Sequence, residues 1–407
     1  MNIRKSIFLF LFIIIILSCG GSEKDKLSLE SFSFPVDLVY DSTNMIVYVI
    51  SSNFDLGYEY GNVKGISLSR LNPLLKNVCK DQCSDYNKQV ILNEGISIGD
   101  YAGHSISYNN KIFVPLRKDN KIAVIETDNM GNLSCGSARK MLGDCDGGHL
   151  ISTEYSEPFS MVDENKGDCI YVSFLKSGKV LCLNKDKFLL SQTEFADFTN
   201  GYEIGGIKDI DISKDGLMVS AYGYLMSGRN AIPLSYEFNG NRYTVFLDFT
   251  DQIGTAFQES VKISSQKKRF FISLRGPDLL LSVDYDIYKD GTFIVTDYRL
   301  LSLYRYPSRL YVATPMSSGR ELLLAAMVDE DRIFIYDTEN LTLLSEISDG
   351  LDGPYAMQMI DIENEDYLFV GNFENSTISV YRFISQENRF EYILRIGKPR
   401  SKEKGEY

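Results

Sequence analysis

Tryptophan is missing from all 407 residues, and there are only two histidines, His104 and His149, and ten prolines. Two histidines cannot build the three- or four-imidazole metal sites that many hydrolases use. Long amphipathic helices are also lacking. The stretch "SRLNPLLKNVCK" (69–80) could form one turn or two. No Gly-x-Ser-x-Gly elbow, phosphate-cradling Gly-rich loop with Lys-Ser/Thr, or His-Glu-x-x-His occurs, which removes the commonest hydrolase and nucleotide-binding signatures. Positive charge is in short supply, with 42 Lys and Arg against 55 Asp and Glu and a formal charge of −13. Such a surface repels phosphate backbones, so nucleic acid is not an expected partner. The best local exception, "QKKRFF" (266–271), reads as a solvated turn entering a strand.

Aromatic residues are plentiful, with 26 Tyr and 24 Phe, and these favour pleated, half-buried surfaces. One spacing recurs. Phe113 to Ile122, Tyr171 to Val180, Phe271 to Leu280, Leu324 to Ile333 and Phe369 to Ile378 all span nine positions. Each interval holds an apolar run, a polar tip ("RKDNK", "LKSGK", "RGPD", "VDEDR", "FENST") and a second run. Tips rich in Gly, Asp, Asn and Ser supply turn chemistry, so each interval predicts a hairpin. Several runs are apolar at nearly every position, as in strands covered on both faces. A further strand precedes each hairpin, as in "GPYAMQMIDI" (353–362), and another can follow, as in "FEYILRI" (390–396).

Four antiparallel strands about every 50 residues are the signature of a propeller blade. The expected fold is therefore all-β, a β-propeller of seven four-stranded blades, six or eight being the alternatives. Blade starts fall near residues 36, 103, 157, 206, 259, 309 and 353. The first and fourth blades carry long tips, and 71–100 reads as an insertion. An open array would leave an unpaired edge, so "LSLESFSF" (27–34) is expected to close the ring by adding a strand to the last blade. The single propeller domain then covers 32–397, with 398–407 a disordered tail.

The first residues set the expected address. Arg4 and Lys5 precede eleven apolar residues, Ile7 to Leu17, and then Ser18 and Cys19. A positive start, a short apolar core and a small residue before a cut describe a secretory signal, 1–18. The core is shorter than the ~20 residues of a membrane helix. The tetrad "ILSC" (16–19) resembles the lipobox of bacterial lipoproteins, which implies lipidation at Cys19, a membrane partner through that anchor, and a tether over 19–31. Gly20 stands where enteric lipoproteins carry an inner-membrane retention Asp, so the resemblance favours the outer membrane, the protein facing the periplasm or the surface. Loss of 1–18 removes two positive charges and takes the formal charge from −13 to −15.

Six further cysteines suit an oxidising compartment. Fifteen pairings are possible, and the local set Cys79–Cys83, Cys135–Cys145 and Cys169–Cys182 is preferred. Cys169 and Cys182 flank one predicted hairpin, and Cys135 and Cys145 bracket a loop. In "GDCDGGH" (143–149), which runs past Cys145, Asp144, Asp146 and His149 are weak candidates to ligate a cation such as Ca²⁺, although the distal Glu of a calcium loop is missing. A disulfide-clasped surface loop is the preferred reading. His104, in "YAGHSISY", is expected near the channel as a satisfied polar residue, a catalytic base being the alternative. Asp209, Asp211, Glu259, Asp361 and Glu363 lie on predicted inner strands, facing either channel or solvent, and no catalytic set or cofactor is assigned.

The unit "YLFVGNFENSTISVYRF" resembles the YVTN repeat. Phe369, Val370 and Asn372 match its first strand in type, and Thr377, Ile378, Ser379 and Val380 its second. "IFIYDTENLTLLSEI" (333–347) matches the continuation. Without tryptophan the Trp-Asp signature of WD40 propellers is absent. The resemblance implies a bacterial lipoprotein with a YVTN-type, lactonase-like propeller. Three functions follow as expectations. The first is a non-catalytic binding or scaffold module at the cell envelope, taking envelope proteins or a small ligand. The second is a lactonase-like or other propeller hydrolase in the periplasm, with calcium as an option. The third is a component of an outer-membrane assembly.

Overall fold

A computed structural model describes residues 28–400, except 29, 57–59, 77, 79, 81–86, 93–94, 137–144, 146–148, 165–166, 198–205, 223–230, 255 and the side chains of 192–195 and 197. The expected Cys79–Cys83 pair, the lipidation site Cys19, the signal 1–18 and the tail from 401 lie outside these residues. Among the described residues no helix is long and apolar enough to cross a membrane.

Seven antiparallel sheets follow one another along the chain, each with its strands in sequence order. Blades 1 to 7 span 35–98, 106–152, 158–197, 207–248, 257–302, 307–347 and 354–396. Six have four strands, and blade 2 has a fifth short strand, Leu150–Ser152, beside Lys121–Thr127. The nine-residue interval has one cause. In all five hairpins the residue two places after the first member pairs with the second member: Pro115 with Ile122, Ser173 with Val180, Ser273 with Leu280, Ala326 with Ile333 and Gly371 with Ile378. Both members then lie on the same face of their blade, turned to the next one.

Packing explains the continuous apolar runs. The described residues form seven apolar clusters, one at each blade–blade junction. Successive residues of a strand enter different clusters: Val47 and Val49 pack toward blade 7, Ile46, Tyr48 and Ile50 toward blade 2. Both faces of every central strand are thus covered, which favours Val, Ile, Leu and Phe at each position.

The ring shuts differently from the expectation. Blade 7 is built entirely from Pro354–Ile362, Glu365–Asn372, Thr377–Ile384 and Arg389–Ile396, so 27–34 adds no strand to it. Instead the segment lies across the junction of blades 7 and 1. Lys398 N donates to Glu30 O (2.9 Å), Phe34 N to Ser376 Oγ (3.2 Å) and Ser52 N to Phe34 O (3.1 Å), and Phe32 is buried in the junction's apolar cluster. The stretch between the third and fourth strands of blade 1 adds a clasp. Its helix, Leu68–Leu75, buries Leu68, Leu71 and Leu75 in the same cluster. Further along, Lys80 N donates to Ile393 O (2.7 Å) on the outer strand of blade 7, and Gly397 N donates to Asn87 Oδ1 (3.0 Å). Closure here is packing plus a few main-chain bonds, and the clasp covers an edge that would otherwise be open.

Candidate functional site

The innermost strands supply the site through a shared irregularity. Near the start of this strand in blades 1, 3, 4, 5, 6 and 7 the pairing register slips. The inner strand carries one residue more than its partner opposes, a β-bulge, and a bulge re-aims the side chain it leaves over. The bulged segments carry Val36, Phe159, Lys208, Glu259, Ser308 and Tyr355, and all six line one cavity of about 250 Å³ at that end of the channel. In blade 2 His104 takes the corresponding place. Gly103 makes this possible: a Cβ there would lie 2.0 Å from Phe159 O, and the close approach lets His104 N donate to that same oxygen (2.8 Å).

His104 is 6% exposed, and Nδ1 lies 3.3 Å from Asp209 Oδ1. Asp209 is the tie of the upper channel. It accepts Ser160 Oγ–H from blade 3 (2.8 Å), and Ser260 Oγ–H (2.7 Å) and Val261 N–H (3.1 Å) from blade 5. Burial works to raise the Asp209 carboxyl, but Lys262, His104 and Arg309 outweigh it and hold it below the usual carboxylate range. Burial lowers the His104 imidazole below its ordinary value, and the Arg309 guanidinium adds to this; the bond to Asp209 opposes both without prevailing. The pair is therefore a neutral imidazole beside a carboxylate. An ionised carboxylate only accepts, so the proton sits on Nδ1. Nε2 keeps its lone pair, is buried, and has no hydrogen-bond partner among the described residues.

Charged groups surround this base. Glu259 is ion-paired with Lys208, and Arg275 Nε lies 3.3 Å from its other oxygen. Arg117 reaches Glu157 (3.2 Å) and lies over the ring of Phe159 (5.0 Å). Beneath, Arg309 donates to Val36 O and Asp37 (3.0 Å each), spanning from blade 6 to blade 1. A basic imidazole in a cavity that also holds three cations, each paired with a carboxylate, can take a proton from water beside a group whose developing negative charge is stabilised.

The other expected residues fall elsewhere. Asp211 lies two residues deeper along the inner strand of blade 4, accepting Ile263 N–H (2.8 Å). Asp361 is near the far end of the inner strand of blade 7, opposite Asp366, and Glu363 sits in the following turn 3.7 Å from Lys76; neither lines the cavity. Asp144 and Asp146 lie outside the described residues. His149, on the side of blade 2, is 4.0 Å from Glu126, and among the described residues no three His, Cys, Asp or Glu side chains are grouped to hold an ion. The disulfides Cys135–Cys145 and Cys169–Cys182 are formed. Lys267, Lys268 and Arg269 are each ion-paired, with Glu339, Asp286 and Asp284. Lys208, Arg117 and Arg275 were not singled out by the sequence; aligning the seven blade starts would have put Lys208 in one column with His104 and Glu259.

No family model matches the chain, and no curated protein does. Solved structures share its fold. A Bacteroides uniformis protein described as a putative 6-phosphogluconolactonase is 15% identical with a TM-score of 0.58, over 84% of this chain and 97% of that one. The Pseudomonas aeruginosa periplasmic gluconolactonase is 15% identical, TM-score 0.52, over 77% and 85%. Kuenenia stuttgartiensis hydrazine synthase is 11% identical, TM-score 0.59, over 89% and 98%. At these identities the likeness is one of fold, an all-β, seven-bladed propeller.

Proposed function

We propose that this propeller is a hydrolase of small lactones, with His104 as the general base. The observation that carries the reading is His104 in the wall of a cavity also lined by Arg117, Lys208, Arg275 and Glu259, its Nε2 unprotonated and without a hydrogen-bond partner among the described residues. Two of the structures with this fold bear lactonase descriptions, which supports the same reaction class. The step is simple. Nε2 takes a proton from water as its oxygen bonds to the lactone carbonyl carbon. The carbonyl electrons move onto oxygen, next to the Lys208 and Arg275 cations. The ring C–O bond then breaks, and the imidazolium returns the proton to the leaving alkoxide, giving a hydroxy acid. Asp209 holds the imidazole in the required tautomer throughout.

The non-catalytic scaffold expected from the sequence gains no support from the cavity, whose imidazole and charged groups favour the hydrolase reading. The reading also needs no ion, since it rests on His104. For the compartment we propose the cell envelope: two disulfides support an oxidising space, and lipid attachment at Cys19 with outer-membrane targeting belongs to the same proposal. Mass analysis of the mature N-terminal peptide tests the anchor.

The test of the reaction is His104→Gln. Loss of a general base should lower kcat/KM on simple γ- and δ-lactones by about 10²–10⁴-fold while the unfolding transition stays cooperative. Turnover that survives the substitution would sink the assignment.

A further inference from the structure

The two halves of the cavity wall differ. On the side of blades 7 and 1 it is aromatic: Phe54, Tyr355 and Phe373 line it, backed by Phe34 and Tyr101. Phe54 contacts Phe373 (5.5 Å) and Tyr101 (5.7 Å) at steep angles, 68° and 81°, so neither ring stacks flat on it, and Phe54 stays 47% exposed at the mouth. An exposed phenylalanine held by a cluster, at the rim of a cavity, is a ready surface for another ring.

Across the axis, on the side of blades 4 and 5, the wall is charged: Lys208 and Arg275 share the single carboxylate Glu259, and Asp329 also lines the cavity. The Arg275 guanidinium lies between the rings of Phe257 (5.7 Å) and Tyr306 (5.3 Å), and its Nε faces Glu259. Both rings and Glu259 hold the guanidinium, whose planar fork suits a planar carboxylate. A volume of about 250 Å³ is just below the usual range of drug-sized pockets and suits a small ligand.

We infer that the ligand of this cavity is a small aryl hydroxy acid or its lactone, with the ring against Phe54 and Phe373 and the carboxylate, or the lactone carbonyl, against Arg275 and Lys208. This names the substrate class of the proposed hydrolase and rests on that reading only where it speaks of turnover. Isothermal titration calorimetry of the whole protein with 3-phenylpropionate and butyrate, equal in charge, tests it. Phenylpropionate should bind about ten-fold more tightly, a difference of ring stacking and burial. Phe54→Ala should cut that advantage to under about three-fold, with Phe54→Leu in between. Arg275→Gln should weaken both carboxylates alike. Equal binding of the two ligands, or a preference that survives in both Phe54→Ala and Phe373→Ala, overturns the inference. Tighter binding of phenyl phosphate than of phenylpropionate overturns the carboxylate assignment. Since binding is read, a ring preference without lactone turnover removes only the hydrolase reading, and turnover without a ring preference removes only this inference.

Discussion

Asp209 and Asp211 stand two residues apart on one inner strand, yet the two levels of the channel treat a buried charge in opposite ways. At the upper level Asp209 collects an imidazole, two hydroxyls and the backbone N–H groups of Ile210 and Val261, and its carboxyl is held low. At the lower level Asp211 is pushed up, by burial first and by the charge of Asp209; Lys262 and the Ile263 N–H do not offset this. Burial does not order them, since Asp209 is the more buried side chain and yet the one that keeps its charge. What separates them is the number of donors each strand neighbour supplies. Ser160 and Ser260, one on each adjacent blade at the same height, are the residues that make the upper level able to keep an anion.

The largest expected effect comes from removing the upper carboxylate. Asp209→Ala leaves two buried hydroxyls and an imidazole without their acceptor and should cost about 3–5 kcal/mol in urea unfolding. Asp211→Ala should cost distinctly less; equal losses would erase the distinction between the levels. Asp209→Asn keeps shape and removes charge. It should lower lactone kcat/KM by about 10²-fold or more through the imidazole tautomer, with a smaller loss of stability than the alanine variant.

The pH dependence sharpens the contrast further. His104 is held below the ordinary histidine value, so the unfolded chain binds its proton first as pH falls. Its contribution to stability is complete above about pH 6.5 and is lost as pH drops through the folded value. Activity should follow the same limb, rising with pH and levelling before about 6.5, and His104→Gln should flatten the stability slope there. Asp209 adds a second loss below about pH 3.9, for the same reason of sign. The smallest effect is a gain. Because Asp211 is raised, its charge detracts from stability once pH passes from about 3.9 through the folded value. Asp211→Asn should therefore raise the urea midpoint slightly at pH 7 and not at pH 3; a loss at pH 7 would mean the lower level depends on the charge.

The blades were legible because their signal is redundant. Phe113, Tyr171, Phe271, Leu324 and Phe369 repeat one register, and the expected starts near 36, 157, 206, 259, 309 and 353 lie within two residues of Pro35, Pro158, Ile207, Phe257, Pro307 and Pro354. The site was harder to see for a physical reason. Period-two alternation assigns faces only in a regular strand, and the bulge adds a residue where the cavity forms. Lys208 and Glu259 are those added residues, so counting alternation through them turns each to the wrong side. His104 shows one satisfied nitrogen and one open one, a division no single-residue reading could make. Ring closure was misread because an unpaired edge suggests a borrowed strand, whereas Leu71, Leu75 and Phe32 cover the junction with apolar surface.

That junction has a consequence for engineering. Glu30 and Lys398 share a hydrogen bond, so both limits of the folded disc meet at one seam. A circularly permuted chain, joined by a short linker across this seam and opened at the exposed Asn239–Gly240 hairpin of blade 4, would keep every residue of the cavity in place.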